Sequence, residues 1–400
     1  MPAQECIKSE SLEVLKVLWD ALKNNYPMME YAGALDDSWF EEYRRKIEGA
    51  SDLNEALLIM DRLVKRLNDY HTRLEWPDKP VFLTPPVILG LADDQVVVLR
   101  SEESIPIQPG DILLKVDDED AKIRFDREME RAFGATRYAR IRSACRRMIE
   151  GPKGSKVKFR LLNPSKGEFE LFLERREWNR REPVLSSSSI DDEVGYIRVS
   201  LWGNFDVEEF DAILEEFRSK PYLVIDVRDN EGGSDGLAAE VVGRFIDKKV
   251  LCSISFYRRA GTNIYEKWIG FAEPRGEWRY EGKVAVLINE GCASACEHFV
   301  SGMLEAGAIL VGVPTSGACG FPKAIKLLGD ITLFCSTTFP LHGKIPSPLN
   351  GIPPHLLVTP SLEDIRSGRD IVLLEAIRLL KGNIPSTYRQ HTMRRDGHGY

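Results

Sequence analysis

Four hundred residues carry 54 Lys plus Arg against 62 Asp plus Glu, a formal net charge of −8. At about 150 residues per domain, that length predicts two or three domains and a core large enough to stand without disulfide staples. The mild acidity argues against a nucleic-acid partner, which needs a basic face, and the sequence has no run of about 18 apolar residues, so no membrane span is expected.

The N-terminus, Met1-Pro2-Ala3-Gln4-Glu5-Cys6, leads into a charged, helix-like stretch without an apolar segment or cleavage site. That pattern predicts no secretory signal and a cytoplasmic location. Seven cysteines without zinc spacing read as reduced thiols, and no metal or other cofactor is expected.

In chain order, residues 10–70 carry helical periodicity: Leu12, Leu15, Trp19 and Leu22 share one face, and Leu57, Met60, Leu63, Val64 and Leu67 another. This segment (1–78) ends on Asn68-Asp69-Tyr70-His71-Thr72 and delivers a histidine. Residues 79–178 change to short strands such as Val96-Val97-Val98-Leu99 and Ile112-Leu113-Leu114, punctuated by Gln108-Pro109-Gly110-Asp111 and Gly151-Pro152-Lys153-Gly154. A charged helical insertion is expected over 125–149. Residues 179–382 alternate strands and helices. The apolar runs 222–227 and 284–288 predict buried parallel strands, and helices are expected near 207–218 and 294–306. Residues 383–400 turn polar and read as a tail.

Chemistry concentrates where the two apolar runs end. In Asn289-Glu290-Gly291-Cys292-Ala293-Ser294-Ala295-Cys296-Glu297, a hydroxyl sits among small residues at a strand–helix junction, where free N–H groups can face a developing oxyanion. Ser294 as a plain helix cap stands beside that reading. After the other run comes Arg228-Asp229-Asn230-Glu231-Gly232-Gly233-Ser234, a loop whose glycines can turn N–H groups toward a ligand. Of the six histidines, at 71, 298, 342, 355, 391 and 398, His71 follows a helix in a polar loop and suits a general base. His298 lies one turn beyond Ser294 and ranks second. Cys292, Cys296 and Cys319 read as small packing thiols, and Arg175, Arg176, Arg180 and Arg181 as a solvated linker face.

Together these stretches resemble the C-terminal-processing (tail-specific) peptidase superfamily, in particular its branch with the tricorn core and the interphotoreceptor retinoid-binding modules. Leu67 to Thr72 is similar to the "D-G-H-T" signature, residues 107–116 to the signature of the family's PDZ domain, 223–233 to "D-x-R-x-N-x-G-G", and 291–297 to "G-S-A-S-A-S-E". The resemblance covers residues from about 10 to 382. It implies an α/β fold with a ClpP/crotonase-like peptidase core, an N-terminal helical segment and an inserted PDZ-like β module.

The resemblance further implies a serine-type peptidase in which Ser294 is the nucleophile and His71 the base. Gly232 or Gly233, with Ala295, would supply the oxyanion hole, and a peptide or small acyl group would be the substrate. Its PDZ carboxylate loop would fall near Ile88-Leu89-Gly90-Leu91. The departures are specific. The lysine of the family's "F-G-K-G" loop is replaced near Ala318, Lys323 lies outside the motif, and no acid occurs between 343 and 355, where His355 takes the place of a family aspartate. Tyr70 stands where the tricorn branch has serine. Asn350 and Asp69 remain as candidate third members. A non-catalytic binder of peptides or small apolar ligands, or an acyl-transfer or cyclising enzyme, fits the same scaffold.

Overall fold

The computed structural model describes residues 2–27, 37–179, 182–318, 320–341 and 350–382. The expected tail 383–400, Arg180, Arg181, Cys319, His342, and residues 343–349 of the stretch searched for a third member lie outside the described residues.

Three helices open the chain: α1 (Pro2–Asn25), α2 (Asp37–Ile47) and α3 (Leu53–Lys65). The apolar face read from the sequence is the buried one: Leu15, Leu18, Leu22, Met60 and Leu63 share one core with the strands Arg73–Glu75 and Thr332–Ser336. Asp52 caps α3 by accepting the Glu55 N–H at 2.8 Å, which satisfies one of the free amides of the first turn. α3 stops at Lys65, earlier than the sequence pattern suggests, because Asn68 takes a positive φ of 55° and turns the chain toward His71.

Residues 87–174 form an antiparallel sheet in the order 87–92, 95–101, 112–116, 156–163, 167–174, with Val87–Ala92 at its edge. Its core is separate, built on Val98, Phe125, Met148 and Phe159. The helical insertion is two helices, α4 (Ala121–Arg131) and α5 (Arg137–Ile149). The break falls at Thr136, whose hydroxyl accepts the Ala139 N–H and so starts a second helix.

A six-stranded sheet follows, ordered 185–189, 194–199, 222–226, 283–288, 309–312, 356–357, and every neighbouring pair after the first is parallel. Tyr222–Asp226 and Lys283–Ile288 are its central strands. Leu223, Ile225, Val286 and Ile288 face the core shared with α6 (Val207–Glu216), α7 (Asp235–Val242) and α8 (Ala295–Glu305). Val224, Ala285 and Leu287 face the opposite way, toward α10 (Ile371–Leu380), which follows α9 (Leu362–Ser367). Burial on both faces explains the unbroken apolar runs. A hairpin of Val250–Arg258 and Tyr265–Ala272 joins Thr338–Leu341 in a further sheet.

Because the central strands run parallel, the loops 227–234 and 289–294 leave the same edge side by side, the place where open α/β sheets build their sites. No helix among the described residues is long and apolar enough to cross a membrane.

α8 is held down by Phe299, fully buried, with its ring 4.6 Å from that of Trp202. Phe299→Ala is expected to lower unfolding free energy by about 3–5 kcal/mol. An urea titration followed by circular dichroism reads this as a lower midpoint at unchanged slope.

Candidate active site

The loop after Lys283–Ile288 turns so sharply that Ser294 adopts φ 56°, ψ −124°, a conformation that L-residues avoid. Ser294 stands at the N-cap position of α8, yet its side chain makes no capping hydrogen bond. Strain of this kind costs about 1–3 kcal/mol and persists only where neighbours enforce it. A strained serine at a strand-to-helix turn is the geometry that lifts a hydroxyl clear of its own backbone.

The neighbours are named. Ser294 N–H donates to the Ala318 carbonyl at 2.9 Å, Ser316 N–H to the Cys292 carbonyl at 2.8 Å, and Ala293 N–H to the Asn230 carbonyl at 3.0 Å. Buried Glu297 accepts from the Thr315 hydroxyl at 2.5 Å and from Gly317 N–H at 2.9 Å, so α8 fixes the 315–318 loop beneath its own first turn. Asn230, fully buried, donates to the Val199 carbonyl at 3.0 Å and accepts the Gly232 N–H at 2.9 Å.

Gly232 touches the turn directly. A β-carbon there would lie 2.8 Å from Ser294 Cβ and from the Ala293 carbonyl oxygen, and its φ is +108°. Gly232 therefore sits at the serine, whereas Gly233 lies against the Trp202 backbone, and the two are not equivalent. The Gly232 N–H is already bonded to Asn230, whereas the Gly233 and Ala295 N–H groups bond no acceptor among the described residues.

His71 lies 223 positions before Ser294 in sequence, and its neighbour Tyr70 lines the same cavity as Ala293. Strand Arg73–Glu75 pairs with Thr332–Ser336, and Ser336 N–H donates to the Thr72 hydroxyl at 3.0 Å. Gly320 lies against the same Ser336 that bonds Thr72 in the histidine loop. Burial lowers the His71 pKa and Arg73 lowers it further, while Asp69 and Asp235 oppose the shift. Its buried Nδ1 has no hydrogen-bond partner among the described residues.

The two expected third members do not meet that Nδ1. Asp69 uses its carboxylate on the turn itself, accepting from His71 N–H at 3.0 Å and from the Thr72 hydroxyl. Asn350 is exposed at the edge of the loop beside Thr315. His298 turns to Asp235, with Nδ1 3.6 Å from a carboxylate oxygen. His355 accepts the Leu310 N–H at 2.9 Å and serves a strand. Ala318, in place of the family lysine, is buried under Ser294, and Lys323 is exposed on Pro322–Lys326.

Cys292 donates to the Val227 carbonyl at 2.9 Å, and burial keeps the Cys296 thiol well above its usual range, so both are packing groups. No group of three or more His, Cys, Asp or Glu among the described residues could hold a metal ion.

A cavity of about 420 Å³ opens beside the turn, lined by Tyr70, Glu231, Ala293 and Ala318 and, from the β module, by Ile88 and Arg146. Residues Ile88 to Leu91, expected as a loop, lie in the edge strand Val87–Ala92 because their alternating side chains reach the module core. Arg142 of α5 ion-pairs with Asp229 and lies 3.8 Å from Glu290. Burial would raise the Asp229 pKa, but Arg142 and Asn289 hold it below the usual carboxylate range; burial raises that of Glu290. A second crevice, near Tyr280 and Met303, opens at the opposite ends of the strands.

Residues 193–357 match peptidase family S41. Over that segment the chain is similar to the S41 peptidases. Carboxyl-terminal-processing peptidase 2 of Arabidopsis thaliana is 30% identical over 188 residues, covering 42% of this chain and 33% of the relative. Carboxy-terminal processing protease CtpB of Bacillus subtilis (strain 168) is 28% identical over 186 residues, covering 46% and 37%. The matches therefore span about a third of those relatives' lengths. The mixed α/β fold resembles family S41 proteases over nearly the whole chain. Mature CPAF superposes with TM-score 0.76 at 15% identity, covering 95% of this chain and 99% of its own. The photosystem II D1 C-terminal processing protease does so with TM-score 0.53 at 16% identity, covering 91% and 98%.

Gly232→Ala is expected to push the serine turn out of place. Its rate of phosphonylation by a fluorophosphonate should fall at least about a hundredfold, with the circular dichroism spectrum preserved.

Proposed function

We propose that the chain is a serine peptidase in which Ser294 Oγ attacks the carbonyl carbon of a peptide. His71 takes the Oγ proton, and the N–H groups of Ala295 and Gly233 stabilise the oxyanion. The acyl-enzyme forms as the C–N bond breaks, the protonated His71 delivering its proton to the leaving amine. Water, deprotonated by the same histidine, then releases the acyl group. Burial supports His71 in this role because it keeps the imidazole neutral and able to accept a proton near neutral pH. The observation that carries the reading is the strained, uncapped Ser294 turn pressed against Gly232.

The substrate in this reading is an extended peptide. Val87–Ala92 is a sheet edge with α5 beside it, which is the arrangement of a PDZ-like groove, and Val87, Ile88, Arg142 and Arg146 line the same cavity as Ala293 and Ser316. A peptide added to that edge gains main-chain hydrogen bonds and runs toward Ser294. The chain then divides into a helical segment ending at His71, a PDZ-like module and a ClpP/crotonase-like core.

One observation favours a second reading, a binding protein on the same scaffold: among the described residues, His71 Nδ1 has no partner to orient the ring. Loss of an orienting acid costs about four orders of magnitude in a serine protease.

Labelling with a fluorophosphonate followed by peptide mass spectrometry separates the two. The peptidase reading predicts modification at Ser294, its absence in Ser294→Ala, and labelling slowed at least about a hundredfold in His71→Ala. A folded, unlabelled wild type would assign the scaffold to binding.

A further inference from the structure

The cavity beside the Ser294 turn is rich in charge, and nearly all of that charge is already committed. Lys65 Nζ lies 2.6 Å from Asp61, Arg146 lies 3.3 Å from Glu150, and Arg147 lies 3.1 Å from Glu128. Arg142 pairs with Asp229 and lies 3.8 Å from Glu290. Every basic side chain of the lining is thus matched by a carboxylate, and Arg142 by two. Such a wall holds no spare cation to attract an acidic side chain.

One acid of the lining is left over. Glu231 is exposed and makes no ion pair or side-chain hydrogen bond among the described residues. Its place in the chain ties it to the nucleophile. It sits between fully buried Asn230 and Gly232, where an added β-carbon would lie 2.8 Å from Ser294 Cβ. The backbone is pinned on both sides. Asn230 donates to the Val199 carbonyl and accepts the Gly232 N–H, and Trp202 N–H donates to the Gly232 carbonyl at 2.8 Å. Ser234 N–H in turn donates to the Trp202 carbonyl at 2.7 Å. A rigid stretch therefore carries this carboxylate at the cavity, so a ligand meeting it would not have to order the loop. Tyr70 and Phe133 line the same cavity, and aromatic rings add attraction for a cation.

We infer that Glu231 makes the cavity beside Ser294 a subsite for a basic side chain, so that the substrates are peptides carrying lysine or arginine next to the bond attacked. This rests on the peptidase reading above and names its substrate class. The ammonium or guanidinium group meets the one unpaired carboxylate of the lining, and the long methylene stem suits the non-polar lining at Val87 and Ala293. A glutamate that were only a solvated surface charge would contribute little to any bound side chain.

The test compares three fluorophosphonates whose alkyl arms match in length and end in an ammonium, a methyl or a carboxylate group. Their rates of Ser294 phosphonylation are measured on wild type, Glu231→Gln, Glu231→Lys and Glu281→Gln. Rate ratios within each protein cancel any change in the reactivity of the serine turn. Wild type should react at least about fivefold faster with the ammonium arm than with the methyl arm, and rising salt should shrink that ratio. Glu231→Gln should bring the ratio close to one, and Glu231→Lys should favour the carboxylate arm. Glu281, exposed at the opposite crevice, reports the general field of an acidic chain, and Glu281→Gln should keep the wild-type ratio. A wild-type ratio near one, a ratio that survives Glu231→Gln, or an equal fall in Glu281→Gln would overturn the inference. In parallel, a fluorescein-labelled alanine peptide carrying lysines and its norleucine counterpart are titrated by anisotropy into Ser294→Ala and Ser294→Ala/Glu231→Gln. The lysine peptide should bind Ser294→Ala more tightly and lose that advantage in the double variant; equal binding of the two peptides would overturn the inference. If wild-type Ser294 is labelled by none of the probes, the peptidase reading fails, and the peptide titrations still decide whether Glu231 selects a basic side chain.

Discussion

The turn at Ser294 exists in its strained form because residue 232 carries no side chain. Any β-carbon there would collide with Ser294 Cβ and the Ala293 carbonyl, and the backbone at 232 and 233 lies in a region of φ that L-residues rarely adopt. The two central strands bring these loops together, since parallel neighbours end at the same edge of the sheet. Strand order, glycine pair and serine turn therefore form one constraint. Moving any of them shifts the Ser294 turn.

Around that contact, buried polar side chains replace what looser loops would lack. Asn230 ties the glycine loop to Val199 and to the serine turn, and Asn289 accepts from Asp229 and Gly291 N–H. Glu297 anchors the loop whose Ala318 carbonyl receives the Ser294 N–H. Each bond satisfies a group that would cost about 1–3 kcal/mol if left unpaired in the interior. The same economy joins distant modules: Arg142 of α5 reaches Asp229, and Thr72 receives a backbone N–H from Ser336. The site is thus assembled from three parts of the chain, and its geometry depends on all three being folded.

Much of this was legible in the sequence because apolar runs and turn residues carry local information. The runs 222–227 and 284–288 announced two-faced burial, and the glycine pair and small-residue stretch stood at their ends. Pairing partners are not local, so the sequence did not show that Arg73–Glu75 docks on Thr332–Ser336, which is what carries His71 inward. Side-chain commitments were equally hidden. Asp69 looked free to orient a histidine, but it satisfies its own turn, and Gly232 looked able to donate, but its N–H is held by Asn230. Asn230 and Glu297 stood inside the motifs already singled out, where an amide or acid among small residues was the signal.

The account turns on Ser294 facing two uncommitted amides, and a crystal structure of the phosphonylated protein tests this most directly. It predicts phosphorus on Ser294 Oγ, with the phosphoryl oxygen about 2.7–3.1 Å from the N–H groups of Ala295 and Gly233. An adduct on another residue, or a phosphoryl oxygen turned to solvent away from both amides, would contradict it.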